Sequence, residues 1–103
     1  MTIKAVVEIN GIRQNTNYFV LPKNNTEKFM IDFPYVIHET HYDWISNNFK
    51  TDLFLDTGLK KYTFYGCVPS SVITGKNRLG IDSRTVYISF EVMLFGIIRR
   101  EHA

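Results

Sequence analysis

Apolar and polar residues alternate from the start of the chain. Ile3, Ala5, Val7 and Ile9 fall on one side of an extended segment, with Lys4 and Glu8 on the other. That two-residue period belongs to a half-buried strand. Asn10-Gly11 follows at once, a pair that readily takes the positive φ of a tight hairpin turn, so a second strand over about 12–21 is expected to return antiparallel. Pro22-Lys23-Asn24-Asn25 reads as a loop. The next strand is expected over about 27–37, with Phe29, Ile31, Phe33, Tyr35 and Ile37 on one face. Pro34 cannot donate to a ladder, which makes this strand an edge or bulges it there.

The period then changes. Thr40 is followed three residues later by Asp43, a variant of the capping box, and Trp44, Ile45 and Phe49 sit at helical spacing. These residues predict a short helix over about 41–49, with Trp44 anchoring it in the core and Ile45 paired to Phe49. Strand pattern resumes at Leu53-Phe54-Leu55, turns at Asp56-Thr57-Gly58, and returns over about 60–68. Pro69-Ser70-Ser71 is expected to break that strand, and Gly75-Lys76-Asn77-Arg78 to form a basic loop. A last, long strand is expected over about 85–98, with Val86, Ile88, Phe90, Val92 and Leu94 on its apolar face.

Runs of strands without helical crossovers predict a mainly β fold, an antiparallel sandwich or barrel of about six strands with one short helix. Composition agrees. The 103 residues fit a single domain, 1–103, and 45% hydrophobic residues suffice for a core. Aromatic residues reach 15%, which favours pleated surfaces and leaves more apolar area than so small a domain readily covers. Phe29, Ile31, Phe33, Trp44, Phe64, Val86, Ile88, Phe90 and Val92 are the expected core. No run approaches the roughly 18 apolar residues of a spanning helix, so no membrane partner is expected.

Chemistry is sparsely signalled. His38-Glu39-Thr40-His41 lacks the spacing of the zinc-protease helix, and a two-histidine site still wants a third ligand. The plainer reading is polar residues at a helix entry, with Glu39 and Asp43 near its positive end. Cys67 is the single cysteine and lies mid-strand among aromatics, where a thiol is a small core residue. Ser70-Ser71 lacks a nucleophile elbow, and Gly75-Lys76 lacks the phosphate-loop pattern. No enzyme, catalytic residue, cofactor or metal is therefore expected. The net charge of +2 does not argue for nucleic acid. Even so, Lys60 and Lys61 beside Tyr62, Phe64 and Tyr65, with Arg78 nearby, are the parts of a small single-strand nucleic-acid-binding barrel.

The segment Tyr62-Thr63-Phe64-Tyr65-Gly66-Cys67-Val68-Pro69-Ser70-Ser71-Val72 resembles the tail-tube proteins of contractile-tailed bacteriophages. Leu79-Gly80-Ile81-Asp82-Ser83 and the alternating Val86 to Leu94 strand continue the likeness, as does the strand, Trp-bearing helix and hairpin order upstream. The type VI secretion tube and tube-like parts of the baseplate and neck share that fold. The resemblance implies a virion structural protein made in the host cytoplasm. It would form a homo-hexameric ring, contact other tail or baseplate proteins, and pass DNA through a lumen without sequence-specific binding. Tyr65, Tyr87, Met93, Phe95, Pro22 and Asn24 are the candidate interface residues. A baseplate or neck position stays open beside the tube itself, because the chain is short around 22–26.

Overall fold

The computed structural model describes residues 2–21, 28–90, 92–93, 96–97 and 99–102, with side chains described for 3–21 and 28–90. Its strands are β1 (Thr2–Ile3), β2 (Val6–Ile9), β3 (Ile12–Asn15), β4 (Tyr18–Val20), β5 (Lys28–Pro34), β6 (Thr51–Asp56), β7 (Lys61–Lys76), β8 (Asp82–Ser89), β9 (Val92–Met93), β10 (Gly96–Ile97) and β11 (Arg99–His102). One helix, α1 (Glu39–Asn47), lies between β5 and β6. The strands run in the spatial order β1-β4-β5-β8-β7-β6-β2-β3, with β11 added on β7 and β9 pairing only with β10. Every pairing is antiparallel. The mainly β fold expected from the alternation is what the chain adopts.

This path folds over on itself at three corners, as sandwiches do where strands switch sheets. The chain leaves β1 in one sheet, passes Lys4-Ala5, and enters β2 in the other. It recrosses at Thr16-Asn17, so the expected continuous strand over 12–21 is two strands in two sheets. Thr16 is buried and locks these two crossings together. Its hydroxyl donates to the Ala5 carbonyl at 2.7 Å, and its backbone N–H donates there at 3.1 Å. Alternation continues through the first corner, from Ile3 through Ala5 to Val7, which is why the sequence pattern does not show it.

The third corner lies in β7. Its first part, 61–67, pairs with β6, and its second part, 68–76, pairs with β8. Pro69-Ser70-Ser71 was expected to end the strand; instead the register to β8 shifts there and the strand runs on to Lys76. A bulge accommodates the proline without ending the pairing. A second irregularity sits opposite Asp52, whose carboxylate accepts the Gly66 N–H at 3.0 Å, with Gly66 at φ +61°. Pro34 closes β5 opposite Ser83, beyond the reach of β4, so only one neighbour is paired there.

The core lies between the two sheets. Phe29 of β5 stacks on Phe64 of β7 at 4.3 Å between ring centroids, Phe90 meets both rings, and Phe19 meets Tyr62. Of the expected core, eight residues from Phe29 to Phe90 are buried, and the side chain of Val92 lies outside the described residues. Each buried side chain of this size contributes roughly 1.5–3 kcal/mol.

The helix closes one end of the sandwich. Trp44 is fully buried and its indole N–H donates to the Cys67 carbonyl at 3.2 Å. The helix starts two residues before the expected 41–49 and ends two before it. His38, not Thr40, is the N-cap, with its ring Nδ1 accepting the Thr40 N–H at 3.1 Å. Asn48 ends the helix in the left-handed region, which leaves Phe49 outside it, exposed, rather than paired with Ile45 on a helical face. The expected last strand also differs, since β8 begins at Asp82 and ends at Ser89, before the short β9 and β10.

Candidate assembly surface

The two parts of β7 have different surroundings. Over 61–64 the strand has β6 on one side and β11 on the other. Beyond the corner β8 pairs with it, and among the described residues no strand pairs along its opposite edge from Ser70 to Lys76. From Ser70 to Thr74 every residue is exposed, on both faces of the strand. This segment is an arm with two open faces and an open edge.

Register shows which residues share those faces. Phe19, Ile31, Val86 and Val72 lie in one row across the sheet, and the first three are fully buried. Val72 extends that core row to the open edge and is 39% exposed. On the other face, Val20, Met30, Tyr87 and Ser71 form one row, and Tyr18, Asp32, Thr85 and Ile73 the next. Tyr87 is 40% exposed and Ile73 57%. An apolar row ending in an open edge is the surface that soluble monomers avoid and assemblies use.

Asp32 gathers hydrogen bonds at the base of the tip between β7 and β8. It is fully buried on the outer face of its sheet, and its carboxylate accepts four side-chain hydrogen bonds. Asn17 and Asn77 donate to Oδ1 at 2.8 and 2.9 Å, and Ser83 and Thr85 donate to Oδ2 at 3.0 and 2.5 Å. Burial alone pushes this carboxyl up; the donors from Thr85, Asn17, Asn77 and Ser83 together outweigh it and hold it below its ordinary value. Asn77 in turn organises the tip between β7 and β8, its Oδ1 accepting the Leu79 and Ile81 N–H groups. Arg78 lies 4.4 Å over the Tyr18 ring, fixing the tip from the other side. The tip therefore presents Leu79, 60% exposed, in a fixed position.

The candidate interface residues fall unevenly on this surface. Tyr87 lies on the exposed outer row, whereas Tyr65 is half-buried on the first part of β7. Met93 stands in β9 with its side chain outside the described residues, and Pro22, Asn24 and Phe95 lie outside them altogether. Val72, Ile73 and Asp32 were not singled out from sequence. Pro69-Ser70-Ser71 reads as a break, which hid the strand that carries Val72 and Ile73 beyond it.

The other candidate chemistry is dispersed. Tyr62 and Phe64 are buried, so they cannot stack on bases beside Lys60 and Lys61, and Arg78 covers Tyr18. Ser70 donates to the Tyr87 carbonyl at 3.0 Å and serves the β7–β8 ladder. Cys67 is buried, its Sγ near the Phe64 carbonyl. His38 caps the helix, and His41 is fully buried inside it. Among the described residues, no three His, Cys, Asp or Glu side chains gather at a point.

No family model matches the sequence, and no curated protein matches it. Solved structures do. Hcp1 from Salmonella typhimurium superposes with a TM-score of 0.61 over 99% of this chain and 94% of that one, at 14% identity. The fold is Hcp-like. Hcp2 from the same organism gives 0.54 over 96% and 94%, again at 14% identity. The Hcp likeness spans both sheets and the helix.

Proposed function

We propose that this chain is a structural subunit that assembles with copies of itself into rings, and that the rings form a hollow tube. One observation carries the reading: in a chain with an Hcp-like fold over nearly its whole length, no described residue pairs with the strand edge at 70–76, where an apolar row ends. Head-to-tail pairing of such edges closes rings when the rotation between copies closes. The sequence resemblance adds hexameric symmetry and a place in a contractile phage tail, where the lumen conducts DNA during ejection. It also adds contacts to other tail or baseplate proteins. The role is mechanical, and no residue is assigned to catalysis.

The test is the mass of the purified protein in solution together with negative-stain images. Rings or hollow tubes are expected. A protein that stays monomeric at high concentration, and binds oligonucleotide with a steep salt dependence, overturns the reading. The place in a phage tail is tested separately, by whether antibodies against the chain decorate phage tails.

A further inference from the structure

One buried titratable group has no part in the assembly surface. His41 sits in the first turn of α1, fully buried, where the helix meets both sheets. Its Nε2 lies 3.2 Å from the Val7 carbonyl of β2. A carbonyl only accepts, so Nε2 carries the proton and the ring is held as that tautomer. Nδ1 is then a bare lone pair, and no donor or acceptor among the described residues reaches it. The ring of Phe33 on β5 lies 6.3 Å away and that of His38 lies 6.5 Å away, centroid to centroid.

This geometry suits a neutral imidazole and opposes a charged one. Adding a proton at Nδ1 creates a second N–H with nothing to donate to, and places a charge in an apolar pocket. Among the described residues no carboxylate is in contact with the ring to offset that charge: β2 offers the Val7 carbonyl, β5 offers Phe33, and the helix cap offers His38.

We propose that His41 is an acid-sensitive latch: neutral, it clamps α1 onto β2, and protonated, it releases the helix and opens that end of the sandwich. Burial first, and then the His38 charge, hold its pKa below the ordinary 6.5, against the Val7 hydrogen bond that raises it. The clamp is therefore complete above about pH 6.5 and is lost as the pH falls through the lowered native value. The inference concerns the folded subunit and stands whether or not it assembles.

Trp44 is the chain's single tryptophan and lies one turn along the same helix, so it reports the release directly. Its emission, followed from pH 8 to pH 4.5, is expected to move reversibly to longer wavelength, with a midpoint below 6.5. In His41→Gln, which keeps a donor for Val7 but cannot titrate, the transition between pH 7 and 5 is expected to vanish. In His38→Gln it is expected to persist and move to higher pH, because one opposing charge is gone. Flat emission in the wild type, or the same transition in His41→Gln, overturns the proposal. Should His41→Gln fail to fold, the wild-type imidazole is titrated by NMR. A neutral Nε2–H ring down to a depressed midpoint upholds the latch, and an ordinary titration near 6.5 refutes it.

Discussion

The two parts of β7 are one continuous strand with opposite fates. From Tyr62 to Phe64 three successive residues are buried, so both faces of the strand are closed. From Ser70 to Thr74 none is buried on either face. Residue type does not explain the exposure of Val72 and Ile73, which are as apolar as the residues before the corner. Cover explains it. The first part has two neighbouring strands and an opposing sheet; the second, among the described residues, has β8 alone. Among the described residues no element covers that edge or the exposed Val72 and Ile73 side chains.

Substitutions along this contrast separate folding from assembly. The largest effect on the monomer is expected in the closed part. Phe64→Ala removes a fully buried ring stacked on Phe29 and should cost about 3–5 kcal/mol, read from the denaturant midpoint. Next comes the buried carboxylate beneath the tip between β7 and β8. Asp32→Asn replaces an acceptor of four hydrogen bonds by a group that must itself donate, at about 3 kcal/mol. The same variant tests pH dependence. The stability Asp32 supplies is full above its ordinary 3.8 and is lost as the pH falls through its lowered native value. Urea midpoints should drop over that acid range in the wild type and drop less in Asp32→Asn. Replacing the helix cap by His38→Ala is smaller, about 0.5–1 kcal/mol, seen as a shift in thermal midpoint. Smallest of all, Ile73→Asp in the open part should change monomer stability by no more than about 0.5 kcal/mol.

Much of this was legible in the residues. The buried set from Phe29 to Phe90 follows from period-two alternation, and Asn10-Gly11 places the β2–β3 hairpin at its turn, with both residues at positive φ. The corners were not legible. Thr16 and Ala5 are ordinary strand residues, and only their mutual hydrogen bonds mark the crossing between sheets. Pro69 misled in the other direction, because a bulge absorbed what looked like a break. Asp32 sits among Phe29, Ile31 and Phe33 as the polar member of an alternating strand. Its burial depends on Asn17, Asn77, Ser83 and Thr85, which the fold collects from three other parts of the chain. His41 reads as a helix-entry residue because no sequence period reveals that α1 turns it inward toward Val7.

The central claim is that the open part of β7 is covered by a second copy of the chain. Sedimentation of the wild type beside Ile73→Asp tests it most directly, with circular dichroism confirming that both are folded. The wild type is expected at a ring mass or larger, and the variant as a folded monomer. A wild type that remains monomeric across the concentration range, or a variant that assembles as well as the wild type, would contradict it.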